Sequence, residues 1–171
     1  MAELTTQERL QPSLLDRLSD NDVGNAEESR SQRVLSLRQL RECVIRDLIW
    51  LLNTDNLGEV TSLDDFSEVK NSVLNYGMGG LTGKRVTTLN VHEIERRLRQ
   101  VILDFEPRIL PNSVRVHMSV DDESMNQSAV QFEIEGDLWA QPLPLRLFMK
   151  TEIDLETGNV NIFEYGSQKI S

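Results

Sequence analysis

The chain has one cysteine and two histidines in 171 residues. Cys43 has no partner for an intrachain disulfide, and no Cys/His grouping has the spacing of a zinc or iron site. His92 falls in the first turn of an expected helix and His117 on the polar face of an expected strand. Neither has a nucleophile motif beside it, so a catalytic triad has no support, and no cofactor is implied. No window approaches the ~18 consecutive apolar residues that a membrane span requires. The opening Met1-Ala2-Glu3-Leu4-Thr5 leads into no uninterrupted apolar run, so neither a signal peptide nor direct membrane insertion is expected. Aromatics make up only 5%, which predicts an aliphatic core. Positive charge is scarce as well: 18 Lys and Arg stand against 28 Asp and Glu, for a formal net charge of -10. A field of that sign opposes nucleic acid and anionic lipid. It suits a soluble cytoplasmic protein, or one that docks on basic surfaces of its partners.

What is present is periodicity. Residues 1–33 read as a flexible segment holding one short leucine helix over 12–19, with Pro12 in its first turn and Leu14, Leu15 and Leu18 on one face. Such a helix is too short to stand alone, so it docks either on its own domain or on a partner. Residues 34–171 read as a single domain. A first strong helix starts at Ser36 and carries Leu37, Leu40, Val44, Leu48 and Leu51 at steps of three and four. It ends in Asn53-Thr54-Asp55-Asn56. Asp64 to Val69 predicts a short helix capped by Asp64 or Asp65. Gly77-Met78-Gly79-Gly80 predicts a turn, because glycine permits positive φ, and it lacks the rest of a P-loop pattern. A second strong helix runs from an Asn90 cap, with Val91, Ile94, Leu98, Val101 and Phe105 on its apolar stripe. Its Arg96, Arg97 and Arg99 read either as a solvated face with Glu95–Arg99 pairing or as a binding patch.

That helix runs into Asp104-Phe105-Glu106-Pro107-Arg108-Ile109. Pro107 has no N–H and disfavours the α region for Glu106, so the helix must stop there. Glu106 and Arg108 are then held at one corner, with Phe105 and Ile109 to anchor it. The plain reading is a helix stop with a surface ion pair contributing ~0–1 kcal/mol to the monomer. Beyond Pro111 the period falls to two. Val114, Val116, Met118; Val130, Phe132, Ile134; and Leu145 through Leu155 mark strands, with a bulge expected at Gly136-Asp137 and a hairpin turn at Glu156-Thr157-Gly158-Asn159. The expected fold is α+β: helices in the N-terminal half packed on a C-terminal antiparallel sheet of three to four strands.

Four segments in order carry a family resemblance: Ser13-Leu14-Leu15-Asp16-Arg17-Leu18; Arg46-Asp47-Leu48 with Leu51-Leu52-Asn53-Thr54; Ser72-Val73-Leu74-Asn75-Tyr76-Gly77; and Phe105-Glu106-Pro107-Arg108. Together they resemble the TssE family of type VI secretion baseplate subunits, itself similar to the wedge proteins that start the sheath in contractile-tailed phages. The resemblance implies a structural part of a cytoplasmic baseplate at the inner membrane. It implies partners TssF, TssG and TssK in the baseplate and TssB and TssC in the contractile sheath. The family's Glu-Pro-Arg motif falls on Glu106, Pro107 and Arg108 and implies contact with the baseplate core. Leu14, Leu15 and Leu18 would form a second partner contact. The family's C-terminal strands can pair with sheath strands. The chain departs from the family at Asp55, where Arg is common, and at Met78-Gly79-Gly80, where Pro-Asp is common. Some phage relatives carry a lysozyme label, which makes a peptidoglycan-cleaving hydrolase with two working carboxylates the alternative. With 28 acids in the chain, no particular pair stands out.

Overall fold

The computed structural model describes residues 15–16, 37–80, 90–119, 129–140 and 143–164. Helix α1, Leu37–Leu52, buries Leu40, Val44, Leu48, Leu51 and Leu52, the stripe that the spacing sets. Ser36, its expected cap, lies outside the described residues, as do Leu14 and Leu18. At its far end the Thr54 hydroxyl donates to the Trp50 carbonyl at 2.7 Å and the Asn53 amide to the Ile49 carbonyl at 2.8 Å. The first satisfies a carbonyl of the last turn, and the second adds to the Asn53 N–H that the Ile49 carbonyl already accepts at 3.1 Å. Trp50 stays at the edge of the stripe, with the Arg46 guanidinium over its ring.

Helix α3, Val91–Phe105, starts at the expected cap: the Glu93 N–H donates to Asn90 Oδ1 at 3.3 Å. It buries Ile94, Leu98, Val101 and Ile102 and stops at Glu106, whose ψ of 77° is the non-helical backbone that a following proline favours. Between the two long helices lie a 3-10 turn at Leu57–Glu59, helix α2 at Ser67–Lys70, and a second 3-10 turn at Val73–Asn75. The aspartate cap expected for α2 does not form. Phe66 occupies that position without a side-chain bond, and Asp64 is bonded to Ser62 and Lys70 instead.

Four antiparallel strands follow: β1 Arg115–Ser119, β2 Ala129–Leu138, β3 Leu145–Asp154 and β4 Val160–Glu164, in the order β1-β2-β3-β4. Every second residue of β2 is buried, so one face meets the helices. The joint core is aliphatic apart from Phe132, as the composition implies. No bulge occurs at Gly136, which pairs in register with Leu147. That glycine serves a close approach instead. Ile109 bridges to Leu138, and a Cβ at 136 would stand 2.7 Å from the Ile109 side chain. Backbone bonds from Leu110 N–H to Asp137 O and from Trp139 N–H to Arg108 O, both 2.8 Å, lay the stretch after Pro107 along the end of β2. The β3–β4 hairpin turns on Gly158, at φ 78°, with Asp154 Oδ1 accepting from the N–H groups of Glu156 and Thr157.

The two sheet edges differ. On β1, Glu95 of α3 accepts from the Met118 N–H at 2.8 Å, and Arg99 donates to the Val114 carbonyl at 3.1 Å. The Glu95–Arg99 pair expected on a solvated face is absent because each side chain is spent on the sheet edge. Burial opposes the charge on Glu95, but the Met118 N–H and then His92 outweigh it, and the carboxyl sits below its usual range. At β4, Asn53 clamps one end: its amide donates to the Val160 carbonyl and its oxygen accepts from the Val160 N–H, both at 2.9 Å. Outward-facing groups recur at every second residue of an antiparallel edge, so the next pair belongs to Ile162. No strand covers it among the described residues.

Candidate functional site: a corner where the motif segments meet

Glu106 is 3% exposed and, among the described residues, the one charged side chain in the buried class. Its Oε1 accepts from the Arg108 backbone N–H at 3.1 Å and from Nε at 2.6 Å, and its Oε2 accepts from Nη2 at 2.5 Å. Pro107 makes this possible. It ends α3 so that the chain doubles back within two residues and the guanidinium fork meets its own motif's carboxylate. Arg108 Nη2 also donates to Asp47 Oδ2 on α1 at 2.6 Å. Asp47 Oδ1 accepts from Arg46 Nε and Nη2 at 2.9 and 2.7 Å, and Arg46 Nη1 donates to Asp16 Oδ1 at 2.7 Å. Five charges of alternating sign therefore run in series: Glu106, Arg108, Asp47, Arg46, Asp16. Burial works against the charge of Arg108, but hydrogen bonds and charge from Glu106, then from Asp47, outweigh it and raise its pKa further. Arg46 is raised mainly by its bond to Asp16. Arg108 Nη1 is buried with no hydrogen-bond partner among the described residues.

The third motif segment closes the corner. The Tyr76 ring packs edge-on against Phe105, centroids 5.3 Å apart, and its hydroxyl lies 3.5 Å from the Asp47 carbonyl. Burial first, then the charges of Asp47 and Glu106, push the Tyr76 phenol up. Gly77 has φ 121°, and a Cβ there would run into the Thr54 carbonyl. That same carbonyl accepts from the Met78 N–H at 2.8 Å, so Tyr76-Gly77 is seated on the end of α1. The departure at Met78-Gly79-Gly80 has a local reason. Met78 enters the core, and Gly79 leaves room for the ion pair between Arg97 and Glu59, which a Cβ would strike.

Four segments separated in sequence by up to about 90 residues thus contact one another. Glu106 and Arg108 belong to the network, Pro107 is exposed, and Leu15 is exposed beside the bonded Asp16. The surface ion pair expected from the Glu-Pro-Arg spacing is corrected: one partner is buried and the other bridges two elements. Asp47, Arg46, Asp16 and Tyr76 stand in the motif segments but were not named as site residues from the sequence. The available signal was that each motif segment supplies a charge or ring that a neighbouring segment complements. Among the described residues no group of three or more His, Cys, Asp or Glu is placed to hold a metal, and no helix is long and apolar enough to cross a membrane.

The family profile of baseplate wedge protein gp25 matches residues 38–143, well over half of the chain. The chain belongs to the gp25 baseplate wedge family. The match takes in α1, the Tyr76-Gly77 turn, α3, the Glu-Pro-Arg corner, β1 and β2, and stops short of β3 and β4. No curated protein and no solved structure gives a significant match. Membership of the wedge family gives the corner its context, since this is a family of structural baseplate proteins.

Proposed function

We propose that the chain is the TssE-type wedge of a type VI secretion baseplate, joining the baseplate core of TssF, TssG and TssK to the first layer of TssB and TssC sheath subunits. On this reading it works on the cytoplasmic side of the inner membrane and starts sheath polymerisation. The observation that carries the reading is the pair of unequal sheet edges. α3 lies along the β1 edge, with Glu95 on the Met118 N–H and Arg99 on the Val114 carbonyl, while β4 offers the backbone of Ile162 beyond the Asn53 clamp. A free edge is a template for a partner's strand. Asp16 and the Glu-Pro-Arg corner, tied together through Arg46 and Asp47, would meet the baseplate core. The chain acts as a structural part and not as a hydrolase. The buried carboxylate, Glu106, has both oxygens on Arg108, which fits a structural tie.

Two assays test this. The purified chain is expected to co-elute with a TssF–TssG–TssK complex and to shorten the lag of TssB–TssC polymerisation. Ile162→Pro, which removes the outward N–H of the open edge, should abolish the second effect and spare the first. Co-elution with neither set, or release of muropeptides from purified cell wall that Glu106→Gln abolishes, would overturn the proposal.

A further inference from the structure

The stretch from Asp55 to Asn75 is held in place by polar bonds and carries apolar tips. Asn75 Oδ1 accepts from the Gly58 N–H and its amide donates to the Lys70 carbonyl, both at 2.9 Å. Ser72 caps the second 3-10 turn, and Arg97 of α3 holds Glu59 at 2.5 Å. Only Leu63 of this stretch reaches the core. The outward positions are nonetheless large and apolar: Val73 is 81% exposed, Val60 80%, Leu74 69% and Phe66 59%. Side chains exposed to that degree stand out from the surface and line no groove. Because Asn75 bonds to Gly58 and to Lys70, the segments bearing all four are fastened to one another. Large apolar groups displayed together on a rigid polar frame mark a contact surface.

The rim is acidic. Asp55, Asp64, Asp65 and Glu68 are exposed, the single cation of the stretch, Lys70, is paired with Asp64, and Asp55, Asp65 and Glu68 make no ion pair among the described residues. We infer that this knot is a second docking surface, inserting Phe66, Val73 and Leu74 into an apolar groove rimmed by Lys and Arg on a baseplate-core neighbour. A second copy of the chain would bring the same acids face to face, and an anionic lipid or nucleic acid would meet them as like charge. The segment Ser72–Gly77 then has two faces. Tyr76 and Gly77 close the Glu-Pro-Arg corner, while Val73 and Leu74 point away from the domain.

The inference rests on the proposed baseplate role, and one titration separates the two. The immobilised full-length chain is titrated by biolayer interferometry with purified TssF–TssG–TssK and, separately, with purified TssB–TssC. Phe66→Ser/Leu74→Ser is expected to raise the Kd for the core complex by at least about tenfold and to leave the melting temperature within about 2 °C, because neither side chain is in the core. Asp65→Lys/Glu68→Lys is expected to slow association and flatten its salt dependence. Core binding by the apolar double variant within about twofold of wild type, with wild type binding normally, would overturn the inference and leave the baseplate role standing. So would weakening confined to TssB–TssC, or a wild-type dimer in sedimentation that the same variant dissociates. Wild type that binds neither partner set overturns the baseplate role and the inference with it.

Discussion

Arg108→Met is the sharpest test of the corner. The substitution keeps an unbranched apolar stem of comparable reach and removes the guanidinium. Glu106, 3% exposed, then loses the bonds from Nε and Nη2 and keeps one to the backbone N–H. Asp47 loses one bond and retains Arg46. Removing one partner of a buried ion pair costs about 3–5 kcal/mol, because the remaining charge is left without compensation. The Arg108 side chain is 25% exposed, so water can reach part of the space it vacates, which lowers the expectation to about 2–4 kcal/mol. For a chain of this size each kcal/mol moves the melting temperature by about 2–4 °C, so a fall of about 4–16 °C is expected. Glu106→Leu/Arg108→Met removes the stranded charge as well and should recover part of that loss, giving a favourable coupling of about 1–3 kcal/mol in a double-mutant cycle. The assay is thermal and urea denaturation of the four proteins. A shift below about 2 °C for Arg108→Met, or strict additivity, would show that the pair behaves as an exposed surface pair. The outcome also bears on assembly experiments: lost co-purification by an Arg108 or Glu106 variant counts as a docking effect only at temperatures where the variant is folded.

Asn53→Ala should cost about 1–2 kcal/mol by leaving the Val160 N–H and carbonyl to water, and should speed hydrogen exchange at Val160 more than at β2 amides. Asp16→Ala should accelerate alkylation of Cys43 by iodoacetamide. Burial raises that thiol's pKa, and the charge and hydrogen bond of Asp16 raise it further, so their loss yields more thiolate at a given pH. An unchanged rate would mean that Asp16 does not sit over α1. Glu95 has a depressed pKa when folded, so its contribution is present above the ordinary carboxylate range and is lost as pH falls through the folded value. Glu95→Ala should therefore destabilise at pH 7, by about 1 kcal/mol for the freed Met118 N–H, and converge on wild type in acid.

The elements were readable where periodicity was strong. The stripes of α1 and α3, the Asn90 cap and the alternation of the strands each follow from local spacing. Three features were not, and each depends on a partner remote in sequence. Gly136 looked like a bulge because a strand glycine has two uses, and only the passage of Ile109 selects the second. Glu95 and Arg99 have the spacing of a helical ion pair, yet Glu95 found the Met118 N–H of β1 and Arg99 the Val114 carbonyl just before it. The Glu-Pro-Arg tripeptide gave the turn but not its burial, since Asp47 and Tyr76, which close over it, lie about 60 and 30 residues earlier. The depth of its residues depends on the tertiary fold.

The asymmetry of the sheet sets how many neighbours of its own kind the domain can accept. A sheet with two open edges is divalent: each added strand exposes another edge, and growth continues in both directions. Here Glu95 of α3 occupies the Met118 N–H of β1 and Arg99 the Val114 carbonyl just before it, which leaves β4 the freer edge. A unit with one freer edge is suited to the end of a row. On the proposed role, the direction of strand-by-strand assembly would be biased within the fold itself, by two side chains of a helix that a partner never has to touch.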